Sequence, residues 1–195
     1  AGSSTGSLLS PLVALSEMDR LKEAYTNVEQ KDIFNINPFK ENGDINVLKA
    51  VWRVGVLNGL RYLFGKEIKS TLGESVNLKK TIKSFFKKED FEKIKETGKE
   101  VIATVVNVNT ESAEFKSSND YEYDDFVDWI WASSCFPGFM SLVKKDGYEY
   151  TDGGIVEHIP IQGVIDKGVS EIDVIILDPI QRLTNKIKST NAFDL

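Results

Sequence analysis

Histidine and cysteine are almost absent from this chain, with one of each among 195 residues, His158 and Cys135. A single cysteine excludes an internal disulfide and a Cys-rich zinc site, and it fits a reducing compartment, so a cytoplasmic location is expected. A single histidine excludes a His-based metal cluster, and with no ligand set for a metal, neither metal nor cofactor is expected. Long apolar runs are missing too. Val51 to Phe64 is broken by Arg53, Asn58 and Arg61, so membrane contact would be peripheral. Positive charge is in deficit, with a net charge of −6. A phosphate backbone would be repelled, which argues against a nucleic-acid partner.

What is present suits one domain with a substantial core. Val101 to Val108 is β-branched and apolar, as a strand buried on both faces should be, and Ile172 to Leu177 reads as a second such strand. Glu114 to Lys116 is a hairpin partner. Leu142 to Lys144 and Tyr148 to Thr151 flank Asp146-Gly147, a hairpin turn. Helical spacing appears at Leu8, Leu9, Leu12, Val13 and Leu15, with Pro11 as an irregularity, and again over Asp124 to Ser134 and Ile161 to Asp166. A helix capped by Asp44 carries Leu48, Val51, Trp52, Leu60 and Leu63, with Gly55 and Gly59 as weak points. A Lys-rich helical stretch follows around Leu78 to Phe91. Strands and helices alternate without repeats, so the expected class is α/β with a mostly parallel sheet under helices.

Directly before the first helix stands Gly2-Ser3-Ser4-Thr5-Gly6, a Gly-x-Ser-x-Gly pattern. At a strand-to-helix turn this pattern holds a nucleophilic serine on strained backbone, with the two glycines passing too close for side chains. Ser4 is then the nucleophile, and the helix amides beginning with Thr5 N–H point at a developing oxyanion. The same residues also read as a flexible Gly/Ser-rich segment. His158 makes a poor triad base, because the acids near it, Asp152 and Glu157, share its local segment, whereas triad partners sit on separate loops. Asp152-Gly153-Gly154 follows a strand and presents a carboxylate where open α/β sheets gather their sites. A carboxylate in reach of Ser4 can take its proton directly. Asp152-Gly153 reads equally as a plain hairpin turn.

Three motifs together resemble the patatin-like phospholipases: Gly2-Ser3-Ser4-Thr5-Gly6, then Ala132-Ser133-Ser134-Cys135-Phe136-Pro137, then Asp152-Gly153-Gly154 with Pro160 behind it. The resemblance implies a three-layer α/β/α fold and a Ser/Asp dyad hydrolysing acyl esters of lipids. Ser4 would be the nucleophile and Asp152 the base and later acid. Gly2, Gly6, Gly153 and Gly154 would be supporting glycines, and Ala132 to Pro137 a helix start beside the dyad. The family also has a strand and a Gly-rich oxyanion loop ahead of its nucleophile. Nothing stands before Ala1 here, so the expectation is a single catalytic domain over 1–195 without that strand and loop. Thr5 N–H would then supply part of the oxyanion hole, and this fragment would be of reduced activity or inactive. Residues 35–99 are expected as a helical cap-like insertion, and His158 stands where the family usually has a small polar residue.

The leading expectation is therefore a serine lipid acyl hydrolase of phospholipase A type, working through an acyl-enzyme. The alternative is a non-catalytic lipid- or protein-binding module on the same scaffold. Apolar Trp52, Val56, Leu57, Leu60, Tyr62, Leu63 and Phe64 beside Lys79, Lys80, Lys83, Lys87 and Lys88 suit a peripheral membrane contact. They also suit a buried helix followed by a solvated one.

Overall fold

The computed structural model describes residues 1–64 and 71–176. Its five-stranded sheet is organised around β2 (Ile102–Asn107), in which every residue is buried. The antiparallel strand β3 (Ser112–Ser117) fills one edge of β2 along its whole length, from Ile102↔Ser117 to Asn107↔Ser112. The other edge is shared. β1 (Gly2–Ser3) runs parallel to it, with Ser3 opposite Thr104. β5 (Tyr148–Asp152) runs antiparallel, with Asp152 opposite Val105. Two strands thus approach each other head-on along one edge, and their chains leave it where Ser4 and Asp152 stand. β4 (Val143–Lys145) pairs with β5 across Asp146-Gly147, whose φ values of 54° and 83° are those a tight two-residue hairpin requires.

Among the described strands only β1 and β2 pair in parallel, so the sheet is mixed rather than mostly parallel. The apolar run of β2 does mark a central strand covered on both faces, but full burial says nothing about the direction of its neighbours. The short β2–β3 and β4–β5 turns impose antiparallel pairing within each hairpin, while β5 reaches β2 only after α8 and β4. The strand expected at Ile172 does not form over residues 172–176, where Ile175 is 82% exposed, and Leu177 lies outside the described residues. Beside this segment, β1 has only two residues in its ladder.

One face of the sheet carries Ala103 and Val105 into the main core, under α8 (Tyr123–Ser133) with Phe126, Trp129 and Ile130. α1 (Thr5–Ala14) buries Pro11 and Leu12 beside it, and α2 (Met18–Asn27) and α3 (Gln30–Ile33) follow at the periphery. The opposite face is covered by a short 3₁₀ turn (Gly153–Ile155) and α9 (Gln162–Ile165), whose Gly163 leaves room for the Phe115 ring.

The cap-like segment 35–99 divides into two unlike parts. α6 (Val76–Phe85) and α7 (Lys88–Glu96) belong to the central core through Leu78, Ile82, Phe91 and Ile94, all buried. Their lysines occupy the outer face, as amphipathic spacing requires. The other part is a continuous helical rod of α4 (Val47–Val51), a π turn (Trp52–Leu57) containing Gly55, and α5 (Asn58–Leu63). Its cap is Asn46, whose side chain accepts from Lys49 N–H at 3.2 Å, rather than Asp44, which lies two residues too early.

Candidate active site

Ser4 occupies φ 53°, ψ −121°, a conformation an L-residue adopts only under constraint. The constraint is a ring of serine hydroxyls. Ser4 N–H donates to Ser133 Oγ at 3.2 Å. Ser4 O accepts from Ser7 N–H at 3.0 Å, Ser7 Oγ at 2.7 Å and Ser134 Oγ at 3.2 Å. Gly2 is indispensable to this turn, since a Cβ there would stand 2.2 Å from Gly6 C. Gly6 departs from expectation. A Cβ on it meets nothing within 4 Å, because the close approach runs from Gly2 onto the Gly6 backbone and not the reverse.

Asp152 reaches the same point from β5. Its N–H donates to Cys135 O at 3.1 Å, and the Thr151 hydroxyl donates to the same carbonyl at 2.7 Å. The last turn of α8 thereby holds both partners, Ser4 through Ser133 and Ser134, and Asp152 through Cys135. Ala132 to Pro137 is the end of a helix and its exit, not a helix start. α8 begins at Tyr123 with Asp124 and Asp125 in its first turn and is finished before Pro137. Gly153 must pass over β2, since a Cβ there would sit 2.1 Å from Thr104 O.

The Ser4 hydroxyl donates to Asp152 Oδ2 at 2.6 Å, and Oδ1 accepts from Gly154 N–H at 2.8 Å. Asp152 is 2% exposed. Burial raises its pKa above the ordinary aspartate value, opposed by the hydrogen bonds from Ser4 and Gly154 and by the charge of His158. At the start of α1, Ser7 N–H is bonded to Ser4 O, and no intrahelical acceptor precedes Thr5 and Gly6. Their amides, with the helix dipole, make an anion-stabilising mouth beside Ser4. Cys135 is buried, and burial pushes its thiol up to about 12, so it stays protonated and inert.

Two cavities meet at Thr5. One of about 260 Å³ is lined by Ser4, Thr5, Gly6, Gly154, His158 and Ile175. The other, of about 240 Å³, is an apolar slot between α1, α2 and α6, walled by Thr5, Leu8, Tyr25, Val28, Leu78 and Phe85. Among the described residues no group of three or more His, Cys, Asp or Glu is placed to hold a metal ion.

Of the residues singled out in the sequence, Ser4, Thr5, Gly2, Gly153, Gly154 and Asp152 converge on this corner, and His158 lines the cavity beside them. The serines at 7, 133 and 134 were not assigned a part. Ser133 and Ser134 stand inside the second motif, but only the fold reveals that their hydroxyls grip the Ser4 backbone.

Comparison with curated proteins gave no significant match. The family description patatin-like phospholipase matches residues 1–165, from the Ser4 turn through α9. The chain therefore belongs to the patatin-like phospholipase family, whose members are lipid acyl hydrolases.

Proposed function

We propose that this protein hydrolyses the acyl ester bond of a lipid through a Ser4–Asp152 dyad. The observation that carries the reading is the 2.6 Å hydrogen bond from the Ser4 hydroxyl to a buried carboxylate, on a backbone held in strain. Asp152 Oδ2 takes the Ser4 proton as Oγ attacks the ester carbonyl carbon, and the carbonyl oxygen becomes an oxyanion facing Thr5 and Gly6 N–H. The tetrahedral species collapses with cleavage of the bond to the alcohol oxygen. That leaving group receives the proton from Asp152, and the acyl group remains on Ser4. Water then attacks the acyl-enzyme, again giving its proton to Asp152, and collapse releases the fatty acid and restores the Ser4 hydroxyl. A carboxylate whose pKa is raised by burial suits both halves of this cycle. The apolar slot beginning at Thr5 is the natural seat of the acyl chain.

The test is labelling with a fluorophosphonate, together with hydrolysis of soluble short-chain acyl esters. Labelling and turnover that both disappear in Ser4→Ala support the reading. Labelling that survives Ser4→Ala would sink it.

A further inference from the structure

The helical rod of α4, the π turn and α5 is inside out. Its polar residues point into the protein: Arg53 is 7% exposed and Asn58 8%. Arg53 donates to Glu74 Oε1 at 2.6 Å and to Thr71 O at 2.7 Å, a charged fork that pins the rod to the residues ahead of α6. Its apolar residues face outward instead, with Leu48 84% exposed, Leu63 and Phe64 76%, and Trp52 56%. Val47, Val51, Val56 and Tyr62 extend the same surface. Left in water, a contiguous apolar face of this kind is unfavourable in proportion to its area and marks a contact surface.

Charge identifies the occupant. The chain carries 30 acidic residues, yet none falls between Ile45 and Phe64, where Lys49 is exposed. An acid-free stretch on a protein of net charge −6 is complementary to an anionic surface. A second copy would bring to Lys49 a face that likewise carries no acid to pair with it. Trp and Tyr among aliphatic side chains, with basic residues alongside, is the composition of an element seated at a lipid interface. Two lysines of α6 are engaged within the protein, Lys79 with Asp128 and Lys83 with Asp124.

We propose that residues 47–64 dock the protein on an anionic lipid bilayer. The apolar face enters the acyl boundary, and the Arg53–Glu74 fork transmits the anchorage to the body of the enzyme. The inference rests on the acyl-hydrolase reading only for the choice of a lipid partner, and its test does not use turnover.

The experiment is flotation of the full chain with vesicles of phosphatidylcholine alone, and of phosphatidylcholine with phosphatidylglycerol, using Ser4→Ala to silence hydrolysis. Preferential flotation with the anionic vesicles is expected, weakened about tenfold by Lys49→Glu. It should be abolished by Leu48→Ser with Leu63→Ser and Phe64→Ser. Trp emission should shift to the blue on binding, and Trp52→Phe should remove the shift, because Trp129 is fully buried and Trp131 is tied to Ser75 O through its ring N–H. Soluble-ester turnover by the triple variant in the Ser4 background confirms that it is folded. Loss of soluble-ester turnover in the unaltered chain would instead defeat the hydrolase reading while leaving flotation to decide docking. Equal flotation with neutral vesicles, or a dimer in sedimentation velocity that the triple variant dissolves, would overturn the proposal.

Discussion

Two of the places where this protein buries polar groups serve opposite ends. At the edge of β2, Ser4 and Asp152 are enclosed by the core, with serine hydroxyls and backbone amides satisfying their polar atoms. In the rod at residues 47–63, a buried Arg53–Glu74 pair supports an element whose apolar side chains stay outside. The first arrangement strains a backbone and desolvates a carboxylate, which stability alone would not select. The second leaves apolar surface in water, also unfavourable to an isolated molecule. On the readings proposed above, each departure is a place where the protein meets something else: a reacting ester in one case, a surface in the other.

The sharpest way to break this comparison is at the dyad. Ser4→Ala and Asp152→Asn should each lower kcat/KM for soluble esters by about 10⁴-fold or more, and the pair together by little further, since the two act as a unit. Their stabilities should diverge. Because burial raises the pKa of Asp152, the folded protein holds a proton that the unfolded chain has already lost just above the ordinary aspartate range. Stability from this group is present at low pH and is lost as pH rises through the raised value. Asp152→Asn should therefore shift the urea midpoint upward at neutral pH. A downward shift would show that the ionised carboxylate is a stabilising anchor and not a strained functional group.

At the rod the corresponding experiment is Arg53→Met. Both partners of the pair are about nine-tenths buried, so removing the Arg53 charge from beside Glu74 should cost about 3–5 kcal/mol where the rod unfolds with the body. Limited trypsinolysis at Lys49 and Arg61 reports whether the rod is released instead. Soluble-ester turnover should survive in the released form, because no residue of the rod lines the Ser4 cavity. Loss of turnover with an intact core would join two regions that are here separate.

A finer contrast lies within the Ser4 turn. Gly2→Ala drives a methyl into the Gly6 backbone and should destabilise by at least about 1–3 kcal/mol while abolishing turnover. Gly6→Ala has open space before it and sits in a helix, where alanine is favoured by about 1 kcal/mol. It should fold at least as well as the parent, with turnover reduced only as the methyl narrows the cavity. Equal damage from both would restore the symmetric role that the motif suggests.

The sequence was most informative where chemistry demands particular residue types. Ser4 before a helix, Asp152 after a strand and two glycines behind it could be read as a site because few other residues permit those turns. The central position of β2 was equally legible from its unbroken apolar run. Strand direction was not, since burial on both faces is the same for parallel and antiparallel neighbours, and β5 comes to β2 only by way of α8 and β4. The rod left two readings open for a different reason. Apolar periodicity states which residues share a face, and Arg53 and Asn58 break the stripe in the sequence. Which face turns inward depends on Glu74 and Thr71, some twenty positions away. The serine ring around Ser4 depends likewise on contacts separated by more than a hundred residues.

The smallest expected effect concerns His158. Its ring lies beside the dyad, with Nδ1 3.9 Å from where a Gly154 side chain would begin, and its charge draws the Asp152 pKa down. Burial acts in the opposite sense and is the larger influence. In the proposed mechanism Asp152 must be ionised to accept the Ser4 proton, so the acid limb of kcat/KM should fall at higher pH than for an ordinary aspartate. Removing the imidazole removes one of the influences that hold that limb down. His158→Ala should therefore move the limb further upward and leave turnover on the plateau within about tenfold of the parent, since Ser4 Oγ is bonded to Asp152 and not to the imidazole. The decisive measurement is the full pH profile, not a rate at one pH. A limb that moves down, or a plateau that collapses as far as in Ser4→Ala, would make His158 the proton acceptor and reduce Asp152 to holding it in place.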